Sequence, residues 1–538
     1  MLVTLFALVG AGRIVATYGI LTQTYDEPAH IATGMDWLEG AYTRDYLHPP
    51  LARVAAALGP YLAGARKAGH ENDWVDGNHK SIWTDGDHIL QSDGKYRRNL
   101  SLARLGVLPF FVVGTVLVYV WGRMLAGAVV GVIAALLYTT LPPILAHAGL
   151  ATTDFVFVVT YQAAVLAIIV WLKRANAMNS VVLGLALAVA MLSKMSAAVY
   201  LPATIAAVLA VRFGVSGRLN PCSRWSTLAG RLGLVAFVGA AVFWGGYRFT
   251  FDLLPPQIVK GVPFAETLAE VPIPAPAFVA GLIELKNHNQ RGLAPYFMGS
   301  AGRSVWFFPA VVVLKTPMAL LLLGLAGIVL AWTRSRRESN WELAAPLACV
   351  LVVMCISISA RINMGVRHVL PLYWPLVVVA ALAARWLWDQ HGLRHLARIA
   401  VVVLLLWQLA VSALVHPDYL AYFNELAGGK PERFLIDSDL DWGQDLGRLS
   451  NELRARGIKN LHLAYFGSRY MDLNRHGLPA WQPLRPNQRA EGWVAISVLI
   501  LKSGNEYRWL EAYEPVAHIG RSMRLYDVPP HDGASEPG

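Results

Sequence analysis

The chain has 538 residues, of which 55% are hydrophobic and only 15% are charged, and its mean hydropathy is +0.44. Soluble globular proteins carry roughly a quarter charged residues, so this composition excludes an ordinary soluble enzyme. The net charge of +11 does not indicate a nucleic-acid-binding protein, because the basic residues lie in short loops between apolar runs.

About eleven apolar runs predict transmembrane helices, because about 20 helical residues cross the hydrocarbon core of a bilayer. The fifth and sixth runs are short and predict a helical hairpin that is broken at Ser193-Lys194. We therefore predict an all-α polytopic membrane domain over 1–415, with spans at 2–22, 101–121, 125–146, 155–172, 180–193, 196–212, 232–250, 305–332, 344–360, 368–386 and 397–415.

The basic residues between these spans predict the orientation of the chain. If the first span enters from the cytoplasm, most of them, Arg123 and Arg334 among them, fall on the cytoplasmic side. The loops 23–100 and 251–304 and the tail 416–538 are then outside. Richness in Ala, Gly and Arg indicates a bacterial chain, in which this side of the inner (plasma) membrane is the periplasm or the exterior.

The tail changes to the composition of a soluble domain. Phe434–Asp437, Leu461–Phe466 and Val494–Leu501 predict strands, and Gly443–Arg456 predicts a helix that ends before Gly457. Because strand and helix alternate, we predict a small extracytoplasmic α/β domain.

Acidic residues occur where predicted spans reach the outer side. Asp26 and Glu27 follow the first span, and Pro28 favours a helix start there. Asp154 opens the fourth span. Each acid suits a helix N-terminus, so simple capping explains their positions. The functional alternative is a carboxylate held at the membrane surface as a general base.

Cationic residues also lie on the outer side, against the positive-inside bias. Lys194 falls in the break of the short hairpin, and Arg361, Arg367 and His368 lie between the ninth and tenth spans. Snorkelling to lipid phosphates is one explanation. The other is a dedicated phosphate site, since the guanidinium fork fits phosphate oxygens. Acids and cations on one face together favour a site that binds an anionic lipid headgroup next to a proton-accepting group.

In this order the motifs resemble those of GT-C glycosyltransferases around glycosyltransferase family 39, which includes the protein O-mannosyltransferases. The resemblance covers roughly 1–415, and the tail departs from it. The segments that carry it are Asp26-Glu27, His48-Pro49-Pro50-Leu51, Thr153-Asp154, Ser193-Lys194 and Arg367-His368-Val369-Leu370-Pro371.

The resemblance implies inverting transfer of one sugar, mannose or a similar hexose or pentose, from a polyprenyl-phosphate carrier. The acceptor is a hydroxyl on a protein, lipid or glycan at the outer face. Asp26 would be the base, oriented by Glu27, while Asp154 and His48 would position the acceptor or a metal. A divalent metal, Mg²⁺ or Mn²⁺, shared by Asp26 and Asp154 stays open. The residues expected to bind the lipid phosphate are Lys194, Arg361, Arg367 and His368.

Two other functions remain alternatives. A transporter or flippase for a lipid-linked or small solute would also place ionisable residues in a membrane protein, although a transporter is expected to have two similar halves. A non-catalytic membrane scaffold would make the Asp26-Glu27 pair incidental. The repeated acids Asp437, Asp439 and Asp441 have the spacing of a calcium loop, but Trp442 replaces its glycine, so turns and helix caps are favoured.

Overall fold

The computed structural model describes residues 1–41, 45–67, 82–217, 222, 225–259, 270–390, 394–468 and 471–530. Parts of the predicted outer loops, 42–44, 68–81 and 260–269, lie outside the described residues.

The described chain is a multi-span helical membrane protein. Eight of its helices are long and apolar enough to cross a membrane, and a ninth span is formed if the pair Ala128–Thr139 and Pro142–Ala148, bent by 66°, counts as one. The eight are Tyr96–Ala126, Thr153–Lys173, Ala197–Ser216, Trp225–Gly246, Met318–Glu338, Trp341–Ser359, Leu370–Trp388 and His395–Leu414.

Two predicted spans correspond to shorter apolar helices. Leu2–Ala16 and Ala177–Met191 coincide with the first and fifth predicted spans. The second of these is followed by a break at Leu192–Ser196 and then by Ala197–Ser216, as the broken hairpin predicts. In the first helix, Arg13 donates a hydrogen bond of 2.9 Å to Ser412 Oγ, which pairs this cation with the last membrane helix.

The eighth span was predicted as one continuous run over 305–332, and this prediction is wrong. The chain forms Phe307–Lys315, breaks at Thr316-Pro317 and resumes as Met318–Glu338. Pro317 has no amide hydrogen to donate within a helix, and it disfavours helical geometry in Thr316, so the apolar run 305–332 cannot remain one helix.

The connections on one end of the bundle have structure of their own. In its described residues, the first holds three α-helices, Glu27–Glu39, Pro50–Leu62 and Ile82–Gln91, before the chain re-enters the bundle at Tyr96. The described part of the second holds a helix at Pro256–Val259, a longer one at Pro276–Arg291, and two short antiparallel ribbons. These ribbons pair β1 (Phe251–Asp252) with β2 (Ile273–Pro274), and β3 (Tyr296–Phe297) with β4 (Ser300–Ala301).

The tail contains the predicted small α/β domain. Its five-stranded sheet has the order β6-β5-β7-β9-β8, with parallel pairs on both sides of β5 and antiparallel pairs at β9. A helix at Leu446–Ala455 precedes the sheet, and a short one at Val498–Ser503 follows β7. The strands are β5 (Asn460–Ala464), β6 (Ala480–Pro483), β7 (Gly492–Ser497), β8 (Ala517–Ile519) and β9 (Met523–Val528).

Two strand predictions in the tail need correction. The segment predicted at Phe434–Asp437 is no strand, and a 3-10 turn forms at Asp437–Asp439 instead. The strand predicted over Val494–Leu501 ends at Ser497, where helix Val498–Ser503 begins. In the first case the apolar side chains Leu435 and Ile436 pack into the membrane-domain core rather than into the tail sheet. Tertiary packing therefore overrides the local β preference.

The main apolar core continues from the membrane helices into the start of the tail. Tyr419, Tyr422, Leu440 and Trp442 belong to the same buried cluster as the bundle helices, whereas the sheet has its own clusters. The first part of the tail is thus a layer on the end of the bundle, and this layer reaches the loops described above.

Gly34 allows the helices Glu27–Glu39 and Pro50–Leu62 to approach closely. A Cβ atom at Gly34 would lie 2.0 Å from the carbonyl oxygen of Arg53. We expect Gly34→Ala to push the helices apart and to lower the free energy of unfolding by about 1–3 kcal/mol. Thermal unfolding of the purified protein in detergent measures this loss.

Gly12→Ala is the matched control, because a Cβ atom at Gly12, also within a helix, meets nothing within 4 Å. It should leave the midpoint unchanged or raise it slightly. Equal midpoints for the two variants would contradict the close approach.

Candidate active site

A single arginine joins two acidic residues from distant parts of the chain. Arg367 donates from Nη1 to Asp26 Oδ2 at 2.7 Å and from Nε to Asp154 Oδ2 at 3.0 Å. Its guanidinium lies over the Trp442 ring, 4.5 Å from the centroid. The structure thus brings together three of the residues that the sequence singled out, with an aromatic face beneath the cation.

Lys194 completes the cluster. Its Nζ lies 2.5 Å from Asp154 Oδ1, so both oxygens of Asp154 contact cations. The Asp154 side chain is fully buried and that of Arg367 is 6% exposed, whereas those of Lys194 and Asp26 are 17% and 24% exposed. Two carboxylates and two cations therefore form one network, and Asp26 is its most accessible member.

The two acids occupy helix starts, but their side chains do not cap the helices. Asp26 is the residue before helix Glu27–Glu39 and makes no capping hydrogen bond, and helix Thr153–Lys173 also has no side-chain cap. Both carboxylates contact Arg367 instead. Capping, the simpler sequence interpretation, therefore does not account for these acids.

Glu27 points away from Asp26 and is fully buried against Arg104. The Arg104 guanidinium donates from Nε and Nη2 to the two oxygens of Glu27, each at 2.8 Å. The amides of Thr24 and Ala151 also donate to this carboxylate, at 2.8 and 2.9 Å. Burial raises the pKa of Glu27, but Arg104 and these amides lower it more, to below its usual value. These contacts fix Glu27, and with it the start of the helix that follows Asp26.

His48 belongs to a neighbouring group of polar residues. Its Nδ1 lies 2.8 Å from Asp45 Oδ2, and its ring meets the His30 ring edge-on at 4.7 Å between centroids. His30 is buried, and neither of its ring nitrogens has a partner among the described residues. Burial lowers the pKa of His30 to about 3, with a further lowering by His48, so its ring is neutral near pH 7. His48 therefore contacts the helix that follows Asp26 through the His30 ring.

The other two predicted phosphate ligands are placed differently. The Arg361 side chain is exposed, while its backbone amide donates to Asn289 Oδ1 at 2.9 Å. His368 Nδ1 lies 3.1 Å from the Ile362 carbonyl oxygen, which requires the proton on Nδ1. Burial, together with Lys194 and Arg367, lowers the pKa of His368 to about 3, so Nε2 carries no proton to donate at neutral pH. Among the described residues, neither side chain bonds to the cluster of Asp26, Asp154, Lys194 and Arg367.

The start of the tail closes the site. Asp439 Oδ1 accepts from the Val366 amide at 2.9 Å, and the Trp442 carbonyl accepts from the Tyr25 amide at 3.0 Å. Buried Lys315 donates to the Asp439 carbonyl at 2.6 Å. Sequence reasoning missed these contacts, although a lone lysine inside the apolar run 305–332 and the dense acids of the tail were signals for them.

The carboxylates of the cluster do not form a metal-ligand set in this arrangement. No group of three or more His, Cys, Asp and Glu residues that could hold a metal occurs within the described ranges. Both Asp154 oxygens and one Asp26 oxygen face cations. Positive side chains thus occupy the positions that a shared Mg²⁺ or Mn²⁺ would need.

The Glu27–Arg104 pair makes a stability prediction. Glu27→Ala leaves the Arg104 charge buried without its partner, so we expect the free energy of unfolding to fall by about 3–5 kcal/mol. Glu338→Ala is the control, because Glu338 pairs with Arg334 while both side chains are more than 40% exposed. Its effect should stay below about 1 kcal/mol. Thermal or chemical unfolding in detergent measures both.

The same pair also predicts a pH dependence. Since the folded-state pKa of Glu27 is lowered, its stabilisation is complete above the ordinary value of 4.5 and is lost as the pH falls below that value. The difference in unfolding midpoint between wild type and Glu27→Ala should shrink only there. A constant difference down to pH 3 would argue against an ionised Glu27.

Comparisons with known proteins agree with this architecture. Residues 99–244 match the family model described as Dolichyl-phosphate-mannose-protein mannosyltransferase. No curated protein matches the chain in sequence. Three solved structures illustrate the shared fold.

The Cupriavidus metallidurans ArnT structure bound to undecaprenyl phosphate aligns over 97% of both chains, with 12% identity and a TM-score of 0.51. The S. cerevisiae protein O-mannosyltransferase Pmt1-Pmt2 complex bound to the sugar donor covers 77% of this chain and 89% of its own, with 11% identity and a TM-score of 0.54. The Archaeoglobus fulgidus oligosaccharyltransferase in the apo form covers 98% of this chain and 75% of its own, with 15% identity and a TM-score of 0.51.

Identities this low establish the fold alone, and the family match covers one segment of the chain. The resemblance predicted from the motifs is confirmed. The chain is a helical membrane protein with a GT-C-like fold, and its residues 99–244 match the dolichyl-phosphate-mannose-protein mannosyltransferase family model.

Proposed function

We propose that the chain is an inverting glycosyltransferase that moves one sugar from a polyprenyl-phosphate carrier to an acceptor hydroxyl. The observation that carries this proposal is the linked cluster of Asp26, Arg367, Asp154 and Lys194. It combines a partly exposed carboxylate with two cations at one end of a helix bundle. The fold match to proteins solved with undecaprenyl phosphate and with a sugar donor supports the same donor class.

The two cations are the donor-phosphate ligands in this proposal. Arg367 offers a planar fork that suits phosphate oxygens, and Lys194 supplies a second charge from a partly exposed position. A donor phosphate competes with Asp26 for the Arg367 guanidinium. Its arrival therefore frees the Asp26 carboxylate to meet the acceptor, while Asp154 continues to hold both cations.

The reaction then needs a base and groups that stabilise the negative charge on the leaving phosphate. The acceptor oxygen attacks the anomeric carbon of the sugar, the bond from that carbon to the phosphate oxygen breaks, and Asp26 takes the hydroxyl proton. The transition state resembles an oxocarbenium ion, as at other glycosyl centres. Charge that develops on the leaving lipid phosphate is stabilised by Arg367 and Lys194. His48, held by Asp45, positions the acceptor in this scheme.

The site and the tail domain at 416–538 face the exterior in this proposal. The basic residues at the other end of the bundle support a cytoplasmic location for that end. For a bacterial chain the site then opens to the periplasm or cell exterior, where an acceptor protein, lipid or glycan meets it. The sugar is mannose or a related hexose or pentose.

Asp26→Asn tests the proposed base. The amide keeps the size of the side chain but cannot accept the proton, so we expect transfer to fall by about 10²- to 10⁴-fold. The assay uses labelled undecaprenyl-phosphate sugars as donors and a cell-envelope fraction from the native host as acceptor. Incorporated label and released undecaprenyl phosphate are measured together.

Asp93→Asn is the control for this experiment, because Asp93 is exposed in the first outer connection. It should transfer at the wild-type rate. Full transfer by a folded and membrane-inserted Asp26→Asn variant would remove Asp26 from the role of base. Flux of a lipid-linked solute across vesicles without any covalent product would instead favour a transporter.

Arg367→Lys tests the proposed phosphate ligand. Lysine keeps the charge but cannot bridge two carboxylates and a phosphate through a planar fork. We expect the affinity for undecaprenyl phosphate to fall about tenfold or more, and Lys194→Gln should have a similar effect. Arg361→Lys is the matched control and should bind as wild type does, because Arg361 is exposed and outside the cluster. Unchanged binding in Arg367→Lys and Lys194→Gln would exclude these cations as phosphate ligands.

A further inference from the structure

The 3-10 turn Asp437–Asp439 lies directly against the segment that ends in Arg367. Ser438 Oγ donates to the Met364 carbonyl at 2.9 Å, and Asp439 Oδ1 accepts from the Val366 amide at 2.9 Å. Each of the two residues after Asp437 is therefore bonded to a residue just before Arg367. These contacts hold the turn that carries Asp437 against the backbone just before Arg367.

The other acids of this segment are engaged in structural contacts. Asp441 accepts from the Gly443 and Leu499 amides at 3.2 and 3.0 Å. Asp445 accepts from Ser522 Oγ at 2.8 Å. Together with Asp439, they fasten the segment to the bundle loop and to the sheet domain.

Asp437 differs from these neighbours. Its carboxylate accepts from the adjacent Ser438 amide at 2.7 Å, and it forms no salt bridge within the described part of the chain. Its φ of 51° is a left-handed conformation that few residues other than glycine adopt, and such residues cluster at functional sites. Burial raises the pKa of Asp437 to about 6, although the Ser438 amide and the Arg367 charge lower it. The Asp26 charge acts in the raising direction, so Asp437 is within electrostatic range of both catalytic-site ions.

We propose that the Asp437 carboxylate binds hydroxyl groups of the transferred sugar. This inference rests on the proposed function, in which Arg367 holds the donor phosphate and Asp26 activates the acceptor. The sugar is bonded to that phosphate and is attacked from the Asp26 side, so it must lie between the two. A partly buried carboxylate in the turn that bonds to the Arg367 segment then borders the sugar, and sugar hydroxyls are hydrogen-bond donors that it can accept from.

This assignment gives the tail a place in donor selection. The phosphate ligands Arg367 and Lys194 belong to the bundle, whereas the sugar ligand Asp437 belongs to the segment that follows the last membrane helix. The lipid phosphate and the sugar are therefore recognised by different parts of the chain. Loss of Asp437 should affect sugar recognition alone.

Equilibrium binding to the full-length protein in detergent tests the proposal. The probes are undecaprenyl phosphate alone and a panel of undecaprenyl phosphates that carry single hexoses or pentoses. Asp437→Asn tolerates the left-handed backbone but removes the charge, and Asp437→Gly relieves the backbone strain and removes the whole carboxylate. We expect both variants to bind undecaprenyl phosphate as wild type does. Both should bind the preferred sugar-linked donor about ten- to a hundredfold more weakly.

Asp93→Asn is the control, since Asp93 also has a left-handed φ, of 55°, but is exposed away from the cluster. The proposal is overturned if the Asp437 variants weaken both probes equally, because Asp437 then acts only through the Arg367 loop. It is also overturned if Asp437→Gly binds the sugar-linked donor normally, or if no sugar increases wild-type affinity over undecaprenyl phosphate. Wild-type protein that does not bind undecaprenyl phosphate at all would instead refute the donor class of the proposed function.

Discussion

The arrangement of this protein depends on one buried guanidinium that holds two carboxylates together. Arg367 is 341 residues from Asp26 and 213 residues from Asp154, yet it bonds to both. A buried charge is stable only when its partners are fixed in good geometry. The helices that carry these acids, and the loop that carries the arginine, must therefore meet at one end of the bundle with little freedom of position.

The adjacent acids Asp26 and Glu27 make different contacts in this arrangement. Glu27 turns into the protein, where Arg104 and two backbone amides satisfy it, and it fixes the helix start. Asp26 turns toward Arg367 and keeps about a quarter of its side chain exposed. Glu27 thus fixes the helix start, and Asp26 remains accessible. The two carboxylates have similar intrinsic acidity, and their different surroundings separate them.

Local sequence patterns predicted the helices and the face on which the charged residues lie. Hydropathy identified the apolar runs, and charge distribution placed Asp26, Asp154, Lys194 and Arg367 on one side. The pairing of Glu27 with Arg104 was not predictable, because it depends on long-range packing that leaves no periodic signal. The contacts of Trp442 and Asp439 were hidden for the same reason, since their segment appeared to belong to a separate soluble domain. A break at Pro317 was readable in principle, but the surrounding apolar residues concealed it.

The hydrogen bonds of the tail segment have a consequence for how the protein matures. Tyr25 and Val366 bond to residues near position 440, which the ribosome adds after all the membrane helices described above. The end of the bundle that carries Arg367 is therefore complete only after the start of the tail has been made and packed against it. A nascent chain would therefore lack the contacts that hold Tyr25 and Val366 until the tail segment has been made.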